Sequence, residues 1–133
     1  MTYDEARAAI EGLVAAGWTA TPVAYPNVTS VAPADGGAWA ELSIAYEPSV
    51  LASFGGTPKR YRCHGSAIFR IRVPSGTGAA AAYQMAGSAV ALFNGAAITG
   101  LTFGAATASP DTAGESATFS VAVVVPFWHD DFR

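Results

Sequence analysis

The chain has 133 residues, a formal net charge of -3 and only 13% charged residues, where an ordinary soluble domain carries about a quarter. That length allows one domain, residues 1–133, with a core that needs neither disulfide nor metal. An acidic balance with a pI near 5.1 excludes the strongly basic footprint of a dedicated DNA-binding domain, and a single cysteine, Cys63, excludes an internal disulfide framework.

So little charge, with 51% hydrophobic residues, suits a subunit that covers part of its surface with copies or partners, although much of that hydrophobic count is alanine. The opening residues carry Asp4, Glu5 and Arg7 in an amphipathic segment, so no signal peptide is expected. Nor is any apolar run long enough to span a membrane. The expectation is a soluble protein made and kept in a cytoplasm.

Thr2 followed by Glu5 has the form of a capping box, in which hydroxyl and carboxylate each satisfy a backbone N–H at a helix start. Ala6, Ile10, Leu13 and Val14 recur at helical spacing and Gly17 follows as a C-cap, which predicts a helix over 3–16. Trp18 to Pro26 favours strand through Thr19, Thr21, Val23 and Tyr25, while Pro22 and Pro26 confine it to an edge or a short piece. Asn27 to Gly37 has loop chemistry at Pro33 and Asp35-Gly36-Gly37. Its Asn27-Val28-Thr29 sequon is read as accidental in a chain without a secretion signal.

Ala38 to Tyr46 alternates Ala40, Leu42, Ile44 and Tyr46 against Trp39, Glu41 and Ser43, and is expected to pair with the strand after it. The connection 47–58, with Pro48, Phe54, Gly55, Gly56 and Pro58, is too long for a tight hairpin and is a candidate contact arm.

Arg60 to Val73 is the most ordered pattern in the chain. Its odd positions read Tyr61, Cys63, Gly65, Ala67, Phe69, Ile71 and Val73; its even positions read Arg60, Arg62, His64, Ser66, Ile68, Arg70 and Arg72. Side chains alternate across a strand, so this is one long strand with an apolar face and a basic face. Four of the seven basic residues stand on that second face. Like charges in a row repel unless something negative faces them, and the partner is a neighbouring strand such as the one bearing Glu41, another subunit, or nucleic acid.

Pro74-Ser75-Gly76-Thr77-Gly78 ends the strand, and Tyr83, Ala86, Val90 and Phe93 at helical spacing predict an amphipathic helix over 79–93, stopped at Asn94-Gly95. Gly76-Thr77-Gly78 lacks the lysine or third glycine of a phosphate-binding loop and reads as a plain turn. Ile98 to Ala106 predicts a further strand and Ser109 to Ser116 a turn. Ala117 to Phe127 predicts a last strand in which Phe119, Val121, Val123, Val125 and Phe127 alternate with polar or small residues until Val124 and Pro126, a sign that both faces become covered there. The segment 128–133 reads as a solvated tail in which His129-Asp130-Asp131 cannot converge on a metal. The switch in period from two to 3.6 and back predicts an α+β fold in two layers. A mostly antiparallel or mixed sheet of about five strands carries both helices on one face.

Cys63 and His64 point to opposite faces of a strand and cannot act together as thiolate and base. Nucleophile elbow, paired carboxylates and metal-ligand spacing are not found, so no catalytic, cofactor or metal residue is assigned.

The order of these segments resembles the tail terminator proteins of long-tailed bacteriophages and related particles over nearly the whole chain. The resemblance rests on Trp18 with Thr21-Pro22-Val23-Ala24-Tyr25-Pro26-Asn27, Trp39 opening a strand, Gly55-Gly56-Thr57 before Tyr61-Arg62, Val73-Pro74-Ser75-Gly76-Thr77-Gly78 before an alanine-rich helix, and a final valine-rich strand. It implies a non-enzymatic virion protein, assembled in the host cytoplasm, that forms a hexameric ring on the tail tube. The ring ends tube polymerisation, meets the head–tail connector or stopper, and lets DNA pass through its lumen without specific binding. Other small connector and tail-completion proteins are similar in length, and a small-molecule-binding or hydrolytic domain is the further alternative. Under the ring reading Arg60, Arg62, Arg70, Arg72 and Glu41 are expected at the subunit boundary, and Phe54, Gly55 and Gly56 at the contact with tube or connector.

Overall fold

The structure, a computed structural model, describes residues 1–28, 33, 36–53, 55–111 and 118–133. Its elements in order are α1 (Tyr3–Gly17), β1 (Val23–Ala24), β2 (Trp39–Tyr46), β3 (Val50–Leu51), β4 (Arg60–Pro74), α2 (Ala80–Asn94), β5 (Leu101–Phe103), β6 (Thr107–Pro110) and β7 (Thr118–Phe132). They make one mixed sheet in the order β1-β2-β4-β7-β5, with β3 beside β4 and β6 beside β7. The fold is α+β in two layers, as the pattern predicts.

The capping box forms. Thr2 Oγ1 accepts from the Glu5 N–H at 3.1 Å and Glu5 Oε2 accepts from the Thr2 N–H at 2.7 Å, so two orphan donors at the start of α1 are satisfied. Ala6, Ile10 and Val14 are wholly buried. Gly17 belongs to the last turn, with Trp18 as the cap. A Cβ at Gly17 would meet Leu92 Cδ1 at 2.4 Å, so the end of α1 lies against the Leu92 side chain of α2.

β2, β4 and β7 pair antiparallel through their lengths, bringing Trp39–Arg72–Ser120, Leu42–Phe69–Val123 and Tyr46–Gly65–Phe127 into rows. The odd positions of β4 and β7 share one face with the even positions of β2, and both helices pack there. Phe69 and Ile71 are 1% and 0% exposed, and Trp18 stands edge-on to Phe69 at 4.9 Å. Gly65 is needed in its row because a Cβ would lie 2.6 Å from Ala45 O and 2.8 Å from Phe127 Cζ.

The structure departs from the expected elements at several places. Among the described residues the sheet has seven strands, because Val50–Leu51 within the long connection pairs with β4, and Thr107–Pro110, past the expected strand end and into the expected turn, pairs with β7. The piece from Trp18 to Pro26 shrinks to Val23–Ala24, an edge strand parallel to β2, as its prolines require. The strand expected from Ile98 is reduced to Leu101–Phe103, with Ile98 only bridging back to Leu101. The segment 128–132 is no solvated tail, because β7 continues to Phe132 against Arg60 and His129 is fully buried. Nor is Pro126 covered; it is exposed on the sheet's outer face.

Candidate functional site: the open face of the sheet

Helices cover one side of the sheet. The other side carries the even positions of β4 and β7 and the odd positions of β2, whose residues are half-buried, apart from buried Ser120 and exposed Ala45, Pro126 and Phe132. Its middle is apolar or small: Ile68 opposite Val124 and Ser43, and Ser66 opposite Pro126 and Ala45. Arginines occupy both ends, and within this chain each meets a carboxylate.

Arg72 Nε pairs with Glu41 Oε1 and its Nη1 donates to Ser120 Oγ at 3.2 Å, with the guanidinium 5.5 Å from the Trp39 ring centre. Glu41 lies directly across from Arg70 in register, yet its carboxylate takes the diagonal neighbour, because Arg70 Nε reaches Asp111 Oδ2 at 2.8 Å. Arg62 grips Asp130 with Nε at 3.0 Å and Nη2 at 3.2 Å and stacks 4.0 Å above Trp128. Those two hydrogen bonds, and the charge behind them, hold the Asp130 carboxyl below its ordinary value against the opposing effect of burial. Arg60 stands 3.6 Å from the same carboxylate and donates to Ala52 O at 3.0 Å.

The sequence expectation that Glu41 neutralises part of the stripe is thus met. Asp111 and Asp130 as the other acceptors had no visible signal, one lying beside a turn and the other in a supposed tail. The four cations are bound into cross-strand pairs with a charge excess of one over Glu41, Asp111 and Asp130. Most of the charge of the stripe is thus compensated within the chain.

The connection before β4 turns at Gly55 and Gly56, whose φ of 70° and 77° is left-handed and strained for other residues. Phe54, the proposed apolar anchor beside them, lies outside the described residues. Val50 and Leu51, which precede it, are 58% and 45% exposed.

On the covered side the fold brings His129 opposite Cys63. His129 Nδ1 lies 3.1 Å from Met1 O and Nε2 lies 3.2 Å from Tyr46 Oη. A carbonyl only accepts, so Nδ1 carries the proton and Tyr46 donates to Nε2. Burial lowers the His129 pKa and raises that of Tyr46 to about 12. Both Cys63 and His129 are 0% exposed, and neither lines a described cavity. The larger cavity, about 650 Å³ between the end of α2 and β5, is lined by Phe93, Asn94, Thr102, Phe103 and their neighbours and has no titratable side chain. Among the described residues no group of three His, Cys, Asp or Glu is placed to hold a metal, and no helix is long and apolar enough to cross a membrane.

No family model and no curated protein matches the chain. Among solved structures, a protein whose name states no function is similar over 100% of this chain and 96% of its own, with 24% identity and a TM-score of 0.66. The two chains share a fold from end to end.

Proposed function

We propose that the protein is a structural phage tail subunit of the tail-terminator kind. It forms a hexameric ring that caps the tail tube, ends its polymerisation and offers the joining surface to the head–tail connector, with DNA passing through the lumen unbound. The observation that supports this reading is the open sheet face. It is a long, half-buried surface whose arginines are already paired within the chain, as suits a surface to be covered by protein. The resemblance supplies the identity of the particle and the ring number. The loop at Gly55 and Gly56 is assigned to the tube or connector, and localisation to the head-proximal end of the tail follows.

Size-exclusion chromatography with light scattering and negative-stain microscopy tests the reading: rings of uniform size are expected. Changing Arg70 and Arg72 together to Ser is expected to weaken the ring and leave the monomer folded. A double variant that assembles normally and loses only DNA affinity would make this a nucleic-acid surface, and a strictly monomeric protein would remove the ring.

A further inference from the structure

Resting on that reading, we infer that the open sheet face of one copy is covered by the helix layer of the next, in a head-to-tail contact between two different surfaces of the same chain. The two-layer fold sets the geometry. With both helices on one side of the sheet, the open face and the outer side of the helices point in opposite directions. A contact between them continues from copy to copy and closes into a ring when each step turns by the same fraction of a full rotation, whereas two open faces meeting each other would close as a dimer and stop.

The open face is large enough for the two surfaces to form an interface. β4 and β7 have 15 residues each, β2 has 8 and the four short strands 2 to 4, and at about 3.3 Å by 4.8 Å per residue the sheet presents roughly 800 Å². A stable interface needs about 800 Å² from each partner.

The two surfaces match in charge. The open face keeps one positive charge in excess, while α1 exposes or half-exposes Asp4, Glu5 and Glu11 against Arg7, an excess of two negative charges. α2 carries no charge in its 15 residues, and its exposed side is Ala81, Gln84, Gly87, Ser88 and Ala91 with Tyr83 at the border. A helix that stays in water ordinarily carries charge on its outer side. Ser88 even spends its hydroxyl on Gln84 O of its own helix. Small side chains let a sheet approach closely, and no charge of α2 has to be stripped of water. Tyr83, 43% exposed beside Phe119, supplies an aromatic anchor of the type that dominates such contacts.

Two measurements test the contact. Cysteines are placed at Ser66 on the open face and Ser88 on α2, and the protein is treated with a flexible bismaleimide; the native Cys63 is 0% exposed. S66C/S88C is expected to give a ladder of covalent oligomers, and a mixture of S66C chains with S88C chains to stop at dimers. Cross-linking of S66C alone would mean face-to-face packing, and of S88C alone back-to-back helices; either overturns the inference. Oligomers by light scattering with no cross-link in any variant overturn it too and leave the ring standing, whereas a monomeric wild type removes both. The second measurement is Gly87→Glu. A Cβ there meets nothing within 4 Å, so the monomer should keep its circular dichroism while the concentration for half-assembly rises about tenfold or more. Unchanged assembly would place α2 outside the interface.

Discussion

The two faces of the sheet solve opposite problems with one strand. On β4 the inward residues Ala67, Phe69, Ile71 and Val73 are at most 2% exposed and act by excluding water. The outward residues Arg62, Arg70 and Arg72 act by pairing with Asp130, Asp111 and Glu41. Burial of apolar area is worth far more than ion pairs that stay partly wet. The covered face therefore holds the fold, and the open face ties its arginines to carboxylates of other elements.

The sharpest way to break this comparison is Phe69→Ala, which removes a ring packed against Trp18. It should cost about 3–5 kcal/mol in denaturant unfolding, and a loss below that of an ordinary surface change would show the core to lie elsewhere.

Acid gives the next largest effect. His129 is neutral in the fold because burial lowers its pKa below the ordinary 6.5. Between that lowered value and 6.5 the unfolded chain binds the proton and the folded chain does not, so stability falls as pH drops through this window and levels off below it. The thermal midpoint should fall by about 2–5 °C between pH 7.5 and 5.5, and His129→Gln should flatten the slope. An equal slope in the variant would assign the effect to another group.

On the open face a double-mutant cycle of Arg72→Ala with Glu41→Ala should give a coupling of about 1 kcal/mol. A coupling of zero would reduce the pair to a crystal-like accident of side-chain placement. Smallest is Ile68→Ala, expected to change the stability of the single chain by less than about 1 kcal/mol. A loss as large as that at Phe69 would mean that the outer face holds the fold as well.

What could be read from sequence follows from how local each cause is. The alternation in β4, the capping box at Thr2 and Glu5 and the spacing in α2 are all set within a few residues, and each appears where its pattern lies. The partners of the arginines are not local. Asp111 and Asp130 stand 41 and 68 positions from Arg70 and Arg62; the pairing of β4 with β7 brings Asp130 near, and that of β6 with β7 adds Asp111. For the same reason 128–132 reads as a tail: its alternation is real, with Phe127 and His129 inward and Trp128 and Asp130 outward, but two aspartates in succession mask it. The short strands β3, β5 and β6 borrow their order from long neighbours and carry little signal of their own. The open face was legible as a basic stripe with Glu41 as one partner; the pairing of the other arginines within the chain was not.

One consequence lies in biosynthesis. β7 sits between β4 and β5, which both precede it in the chain, and pairs with β4 through all of Arg60 to Pro74. Until residues 118–132 have been made and have docked, β4 has one long edge unpaired and β5 and β6 lack their strand partner. The sheet closes only then, through contacts of high sequence separation, which makes folding slow. In the interval each nascent chain shows its neighbours an unpaired sheet edge, so expression that outruns this closure should yield aggregates, and cooler, slower synthesis should recover soluble protein.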